Sequence, residues 1–562
     1  MDPKSDTAAP PSPGFGLSDL DPLAIREALV DVGGRLARNP AGVLAAGVRW
    51  GFGLTEAAAA AGVKALGGEA KGPVEVDSSD LRFGDPAWRE NPIYFGLLQS
   101  YGVSTRLLRD LLDAAGPNGA TTEKAAFATE QVIDALAPTN FLLTNPAALK
   151  RAFDTGGGSL RAGFLRFVED FTERGGLPRQ VDASGFVVGK DLGATPGKVV
   201  FRNRLIELIQ YAPQTETAFE VPLLIVPPWI NKYYVMDLAP GKSFVEWAVR
   251  HGHTVFCVSY RNPDESLGDL GLEDYLVEGP RTALDVVLEI TGAPQANVVG
   301  FCIGVTLTTM LLAHLAARGD DRVRSATLLA SLVDFEEAGV LGQLLDPIAV
   351  DRLERRMRRR GYLEGSDMAA AFNLLRSKDL IWRYVASGWL MGEEPPAFDL
   401  LAWNADATRM PARMHSEYLR SCYLENALAK GSIELAGTRL ELEAIDVPLY
   451  VLATREDHIV PWRGAYRTTQ LVDGARFVLS ASGHIAGVVN PPNPKRRYWT
   501  SDTTPESSDA WLRGAEEKPG SWWEDWTAWV EARSGERREP PALGSEAHPP
   551  LMDAPGTYVH ER

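Results

Sequence analysis

The sequence predicts an α/β protein: a mostly parallel sheet covered by helices, preceded by a helical region and interrupted by a helical insertion. Short apolar runs such as VPLLIVPP (221–228) and HTVFCVSY (253–260) alternate with segments of helical periodicity, as in sheets buried on both faces. The alternation begins near residue 186, stops over about 335–440, and resumes at VPLYVLAT (447–454). A chain of 562 residues is also too long for one ordinary core, so more than one domain is expected.

Four parts are expected along the chain. Residues 1–20, rich in Pro, Ser and Ala, are expected to be disordered. Residues 21–185 predict a helical N-terminal domain that carries no catalytic constellation and suits self-association or attachment to a surface. Residues 186–534 predict the α/β domain, with the insertion 335–440 as a cap over an active site. Residues 535–562 predict a Pro-rich, loosely structured tail.

Composition excludes several classes of protein. The formal net charge of −17 argues against a general nucleic-acid binder, which would present a basic face. The three cysteines (Cys257, Cys302 and Cys422) are too few and too far apart for a disulfide framework or a zinc site, so a reduced, cytoplasmic setting is expected. No secretory signal or transmembrane segment is expected, because charged residues interrupt the most apolar region, 41–67. We expect no metal or cofactor.

The stretch GFCIG (300–304) has the glycine spacing of a nucleophile elbow, with Cys302 where a nucleophile would lie. It follows the predicted strand ANVVG and opens a predicted helix, which is the context that this motif requires. The helix N-terminus favours a thiolate at this position. The alternative interpretation is a small buried cysteine in a tight turn.

Two later motifs supply an acid and a base. Asp457 lies just after a predicted strand, in TREDHIVPW, although a turn carboxylate is the plainer interpretation and Glu456 and His458 are rivals for acid and base. His484 lies in the glycine-flanked loop SGHIAGVVNPP, after the next predicted strand. The chain order of nucleophile, acid and base is that of the α/β-hydrolases, so Cys302, Asp457 and His484 are the predicted catalytic triad of an α/β-hydrolase fold.

Two backbone N–H groups are needed to stabilise an oxyanion. One candidate is Ile303, immediately after the nucleophile. The other is expected from the loop PPWINKYY, at Trp229 or Ile230, and the sequence does not separate the two.

Six arginines lie between residues 352 and 360. They could form a docking face for a phosphate-bearing substrate. The favoured interpretation is a solvated helix face on the cap, paired with Asp351 and Glu354.

Six motifs together resemble the polyhydroxyalkanoate synthases: GFCIG, VPPWINKYYVMDL, SYRNPDESLGDLGLEDY, LMGEEPPAFDLLAWNADATRMP, TREDHIVPW and SGHIAGVVNPP. The resemblance runs from about residue 90 to the C-terminus, and the tail, with GSWWEDWTAWV and PGTYV, is more similar to the class I enzymes of short-chain substrates. One departure is Val305, where the family usually has a second glycine after the elbow. We expect different packing behind Cys302, and so a different acyl pocket.

The resemblance implies an acyltransferase that polymerises (R)-3-hydroxyacyl-CoA, here the short-chain 3-hydroxybutyryl-CoA, into polyester and releases CoA. It implies Cys302 as nucleophile, Asp457 as acid and His484 as base, together with a homodimer attached to cytoplasmic polymer granules. A thiol suits this task because a thioester exchanges onto it at little thermochemical cost and leaves a reactive acyl-enzyme. The competing hypotheses are an ester or thioester hydrolase of the same fold and a non-catalytic granule-associated protein.

Overall fold

The computed structural model describes residues 22–75 and 80–562. The segment 1–20, for which the sequence predicts disorder, lies outside the described residues. The chain divides into two compact units. Unit 1 comprises the described residues up to Asp182 together with Ser366–Pro396, and unit 2 comprises Ala183–Gly365 and Ala397–Arg562.

Unit 1 is helical, as the periodicity of this region predicts. Three of its helices begin with the same Asn-Pro pair, in which the Asn side chain caps the helix and proline occupies the first turn. Asn39 accepts from the Gly42 N–H at 3.0 Å, and Asn145 accepts from the Ala148 N–H at 3.0 Å. The α-helices are Pro22–Arg38, Pro40–Ala65, Ala87–Glu90, Pro92–Ala115, Gly119–Ala135, Pro146–Asp154, Gly158–Glu173 and Gly365–Leu375. Short 3₁₀ turns (Leu81–Phe83, Pro138–Asn140 and Leu142–Thr144) and π-helical turns (Lys378–Trp382 and Val385–Leu390) complete it.

Among the described residues, none of the helices has both the length and the apolar character needed to cross a bilayer.

Part of the predicted cap belongs to unit 1. The sequence predicts one insertion over about 335–440, but residues 366–396 pack with the N-terminal helices. Gly163 has no side chain, which lets the backbone carbonyl of Trp389 approach the helix closely, and the Trp389 indole N–H donates to Asp170 at 2.8 Å. Such pairings between distant parts of the chain leave no local signal in the sequence.

Unit 2 is built on an eleven-stranded sheet, labelled here in chain order. The strands are β1 (Gly197–Arg202), β2 (Ile206–Tyr211), β3 (Leu223–Val226), β4 (Val255–Tyr260), β5 (Ala296–Phe301), β6 (Val323–Leu329), β7 (Leu449–Thr454), β8 (Arg476–Ser480), β9 (Arg497–Thr500), β10 (Glu516–Pro519) and β11 (Met552–Asp553). Their order across the sheet is β10-β9-β8-β7-β6-β5-β3-β4-β2-β1-β11.

The six central strands, from β4 to β8 across the sheet, are parallel, and the flanking strands are antiparallel. The central strands are those that the apolar runs predict. Two-residue strands pair Tyr362–Leu363 with Met410–Pro411, Glu434–Leu435 with Thr438–Arg439, and Ala218–Phe219 with Arg537–Arg538. Because the carboxyl ends of parallel strands meet at one edge, the residues following β3, β5, β7 and β8 come together there.

The α-helices of unit 2 cover this sheet and form the remaining part of the predicted cap. They are Phe244–Arg250, Leu272–Leu276, Thr282–Thr291, Ile303–Ala317, Gly339–Leu344, Pro347–Met357, Asp399–Ala405, Ala412–Tyr418, Trp462–Tyr466, Thr468–Leu471, His484–Val488, Ser508–Gly514 and Trp522–Glu531. 3₁₀ turns lie at Tyr233–Val235, Glu265–Leu267, Leu442–Ala444 and Tyr558–His560, and π-helical turns at Val277–Arg281 and Leu419–Leu424.

The Pro-rich segment after residue 534 has little regular structure, but it is not loose. Strand β11 pairs with β1, and Val559, near the end of the chain, is only 2% exposed. Its contacts come from specific side chains of unit 2 rather than from a periodic pattern, which is why composition alone predicts a loose tail.

Candidate active site

Cys302 lies in a strained turn between β5 and the helix Ile303–Ala317. Its backbone has φ 52° and ψ −133°, a conformation that non-glycine residues rarely adopt. The two flanking glycines permit the turn, because a Cβ on Gly300 would lie 2.9 Å from the Val305 Cα and one on Gly304 would lie 2.4 Å from the Val226 carbonyl oxygen. The spacing of GFCIG is therefore a steric requirement of this strand-to-helix turn.

A continuous chain of hydrogen bonds joins the three predicted triad residues. His484 Nε2 lies 3.1 Å from Cys302 Sγ, and His484 Nδ1 lies 2.6 Å from Asp457 Oδ2. The Asp457 side chain is fully buried and His484 is 3% exposed, whereas Cys302 is partly exposed. The ring of Phe301 stacks on the imidazole with centroids 5.7 Å apart, which fixes the plane of His484. In this geometry a proton can pass between Cys302 Sγ and His484 Nε2.

Asp457 is held by the turn that follows β7. Its Oδ1 accepts from the Ile459 and Val460 N–H groups, each at 2.9 Å, and Thr454 Oγ1 donates to its Oδ2 at 3.1 Å. Burial opposes ionisation of this carboxyl, but His484 and the two backbone donors outweigh it and lower the pKa of Asp457 below its ordinary value.

The pKa of His484 is shifted in the opposite direction. Burial disfavours its charged form, but the neighbouring Asp457 and Cys302 outweigh burial and raise the pKa of His484 well above its usual value. The arrangement therefore stabilises the protonated imidazole of His484 beside the Asp457 carboxylate.

The rival residues are placed differently. Glu456 is exposed, and the carboxylate that meets His484 is that of Asp457. His458 follows Asp457 directly, and the hydrogen bond to Cys302 comes from His484. Cys257 and Cys422 are buried, and burial raises the pKa of both thiols.

The predicted oxyanion donors lie on two adjoining segments. The helix begins at Ile303, so its N–H belongs to the first turn, whose N–H groups have no acceptor within the helix. Gly304 lets this turn lie against the carbonyls of Val226 and Pro227, at the start of the loop that carries Trp229 and Ile230. That loop is hereafter the oxyanion loop, residues 227–232, and the choice between its two N–H donors stays a prediction.

The Trp-rich motif near residue 523 holds the base, a role that sequence reasoning missed. The indole N–H of Trp522 donates to the Gly487 carbonyl at 3.0 Å, and that of Trp523 donates to the Val488 carbonyl at 2.9 Å. Both carbonyls close the short helix that begins at His484. The density of tryptophans was the available signal, but their partners lie 35 residues away.

A cluster of aromatic side chains lies near Cys302. The Tyr418 ring lies 6.1 Å from that of Trp229 and 5.6 Å from that of Tyr423, and the Phe335 ring lies 4.9 Å from that of Tyr423. Burial, with Cys302 among the neighbouring acids, raises the pKa of Tyr418 well above its usual value, so its hydroxyl stays a neutral donor. No motif in the sequence marked these tyrosines.

Asp351 and Glu354, the acidic residues expected to pair with the arginine-rich helix, form ion pairs with Arg420, outside the run, at 2.6 and 2.7 Å. Arg358, within the run, is also among the charges that lower the pKa of Glu354. Within the run, Arg360 pairs with Glu364 at 3.5 Å, while Arg358 is exposed.

Val305, the departure from the family pattern, is accommodated in the core and is only 1% exposed. Its effect on an acyl pocket stays a prediction.

Within residues 22–75 and 80–562, no three His, Cys, Asp or Glu side chains gather as a ligand set for a metal ion.

Comparison with known proteins identifies two families within the chain. Residues 79–248 match the family described as "Poly-beta-hydroxybutyrate polymerase (PhaC) N-terminus", and residues 221–491 match the α/β hydrolase fold. The second match confirms the fold class predicted from the order of nucleophile, acid and base.

Curated relatives are similar over nearly the whole chain. A poly(3-hydroxyalkanoate) polymerase of Methylorubrum extorquens is 43% identical over 97% of this chain and 91% of its own. The poly(3-hydroxyalkanoate) polymerase subunits PhaC of Rhizobium meliloti and Cupriavidus necator are 45% and 44% identical, each over 87% of this chain and over 81% and 84% of their own.

Proposed function

The chain belongs to the poly(3-hydroxyalkanoate) polymerases, and we propose that it forms its polyester through an acyl group carried on Cys302. It is thus an acyltransferase on an α/β-hydrolase fold, and the resemblance read from its motifs is confirmed. The observation that carries the proposed mechanism is the hydrogen-bond chain from Cys302 Sγ through His484 to Asp457.

In the first step the thiol is acylated. The Cys302 proton passes to His484, the thiolate attacks the thioester carbonyl of a 3-hydroxyacyl-CoA, and the carbon–sulfur bond to CoA breaks. The departing CoA sulfur takes the proton back from His484. The N–H of Ile303 and one from the oxyanion loop stabilise the oxyanion. The raised pKa of His484 favours its protonated form, which this step requires once the proton has left the sulfur.

In the second step the acyl group is transferred to an alcohol. His484 removes the proton from the hydroxyl of a growing chain or of the next monomer, whose oxygen attacks the acyl-cysteine. The bond to sulfur breaks, and the proton of His484 restores the thiol. Because an alcohol is a much weaker acid than a thiol, this step depends more strongly on Asp457.

The proposed substrate is a short-chain 3-hydroxyacyl-CoA, 3-hydroxybutyryl-CoA first of all. It rests on the resemblance of the C-terminal motifs to class I enzymes. The aromatic cluster of Trp229, Phe335, Tyr418 and Tyr423 supports a water-poor site, which favours an alcohol acceptor over water.

Unit 1 is proposed to mediate self-association as a homodimer and attachment to cytoplasmic polymer granules. Its surface supports this role: Phe153 is 90% exposed and Phe164 and Phe171 are each 64% exposed, a concentration of apolar surface typical of contact sites.

One assay tests the proposed reaction. Purified protein is incubated with 3-hydroxybutyryl-CoA while free CoA, polymer and free 3-hydroxybutyrate are measured together. The proposal expects CoA release matched by polymer. Release matched by free acid would identify a hydrolase, and no release would exclude this substrate. A parallel series with longer side chains tests the short-chain preference.

A further inference from the structure

Lys232, at the end of the oxyanion loop, is a buried ammonium group bound to the C-terminal segment. The residue is 3% exposed, and its Nζ donates to the carbonyl of Val559 at 2.8 Å and to that of Glu561 at 2.5 Å. The nearest carboxylate, that of Asp406, lies 4.0 Å away. Burial lowers the pKa of Lys232 below its ordinary value, so its charge depends on these acceptors.

The C-terminal segment, Gly556–Glu561, is itself anchored to the sheet. The buried carboxylate of Glu207 on β2 accepts from the N–H of Thr557 at 2.9 Å and from that of Tyr558 at 3.1 Å. The Tyr558 hydroxyl donates to the Asn203 carbonyl at 2.6 Å. The segment is therefore a rigid acceptor for Lys232.

The oxyanion loop needs such support, because its conformation is strained. Asn231 has φ 63°, in the left-handed region. Thr408 Oγ1 accepts from the Asn231 N–H at 2.8 Å and donates to the Trp229 carbonyl at 3.0 Å. The Trp403 indole N–H donates to the Lys232 carbonyl at 2.8 Å. These contacts hold Trp229, Asn231 and the Lys232 backbone, and the lysine side chain ties the end of the loop to the C-terminal segment.

We propose that the C-terminal segment is a positioning element for the oxyanion loop and acts through Lys232. This inference rests on the proposed acyl transfer at Cys302, because the loop supplies one of its oxyanion donors. Loosening the segment should then misplace that donor while the thiol and the imidazole stay in place. Lys232 and Gly556–Glu561 thus control transition-state stabilisation rather than the formation of the nucleophile.

The test compares two reactions of the same thiol. CoA release from 3-hydroxybutyryl-CoA needs the oxyanion donors, whereas alkylation of Cys302 by iodoacetamide needs only the reactive thiolate. The variants are Lys232→Met, a chain ending at Gly556, and the two combined. Lys198→Met is the matched control, since Lys198 also contacts this part of the chain, at Asp553, but through an exposed ion pair far from the loop in sequence.

We expect Lys232→Met and the shortened chain each to lower kcat for CoA release about 10²-fold, the cost of losing one oxyanion donor, with KM changed less than threefold. Alkylation should stay within twofold of the unmodified chain. The combined variant should be no slower than either alone, because both remove the same contact. Lys198→Met should match the unmodified chain in both reactions.

Three results would overturn the inference: unchanged kcat in Lys232→Met, losses that multiply in the combined variant, or alkylation that falls in parallel with CoA release. The last would mean a general structural role. If one variant fails to fold, as judged by circular dichroism, the other decides. Failure of the proposed function is distinguishable in the unmodified chain, which would then release no CoA, or would release it together with free acid instead of polymer.

Discussion

The helix that follows Cys302 and the last helix of the N-terminal region are of similar length but differ in what they leave exposed. In Ile303–Ala317 every residue from Ile303 to Leu315 is buried. In Gly158–Glu173 the apolar residues Phe164 and Phe171 are each 64% exposed. The first is surrounded on all sides, which can hold a strained cysteine in one conformation. The second keeps apolar surface available for contacts that the chain itself does not make.

The sharpest test of this difference is removal of the thiol. Cys302→Ala should lower CoA release by at least about 10⁴-fold while the fold is kept, because the substitution removes the thiol proposed to accept the acyl group. The assay is steady-state CoA release, with the circular dichroism spectrum as a control for folding. The buried Cys422 supplies the matched variant, and Cys422→Ala should keep activity.

An acyl group trapped on a peptide that contains Cys257 or Cys422 would contradict this assignment.

The second prediction separates the two proposed chemical steps. Asp457→Asn should slow elongation by about 10⁴-fold, because the imidazole loses the partner that fixes its tautomer and stabilises its charge. Acylation should suffer much less, since a thiol needs only modest help to ionise. Rapid-quench kinetics should show one burst of CoA for each active site and then a stall with acylated Cys302.

The absence of a burst, or elongation at the unmodified rate, would refute this division between the steps.

The third prediction compares one glycine from each unit. Gly304→Ala should destabilise the protein by about 1–3 kcal/mol and reduce CoA release, because the new Cβ would lie 2.4 Å from the Val226 carbonyl oxygen. Gly47, in the helix Pro40–Ala65, has nothing within 4 Å of that position, so Gly47→Ala should stabilise by about 0.5–1 kcal/mol. Denaturant titration measures both changes.

Equal effects of the two substitutions would show that the elbow is not sterically constrained.

The smallest expected effect on catalysis comes from the exposed face of unit 1. Replacing Phe164 and Phe171 together by Ser should leave initial CoA release within twofold, since neither residue belongs to the site. It should reduce binding to isolated polymer granules or the fraction of dimer in sedimentation. Phe301, the buried phenylalanine beside the nucleophile, is excluded from this test because it stacks on His484.

If the double variant associates and binds granules as the unmodified chain does, this face has another role.

The local sequence determined those elements that depend only on residues close together in the chain. The central strands can be predicted from apolar runs in the sequence, because both of their faces are buried. The glycines around Cys302 predict the tight turn from the sequence, because only a residue without a Cβ fits there. The chain order of Cys302, Asp457 and His484 predicted three side chains that hydrogen bonds join in the structure.

Only the tertiary structure decided which distant groups meet. Trp522 and Trp523 hold the helix that starts at His484, and Lys232 binds carbonyls more than 300 residues away. Residues 366–396 likewise pack with the N-terminal helices rather than staying with the rest of the predicted insertion. The physical reason is that a backbone carbonyl can accept a hydrogen bond from any donor, so its amino-acid type says nothing about its partner. Periodicity and steric needs are local, whereas the pairing of polar groups is settled only when the whole chain has folded.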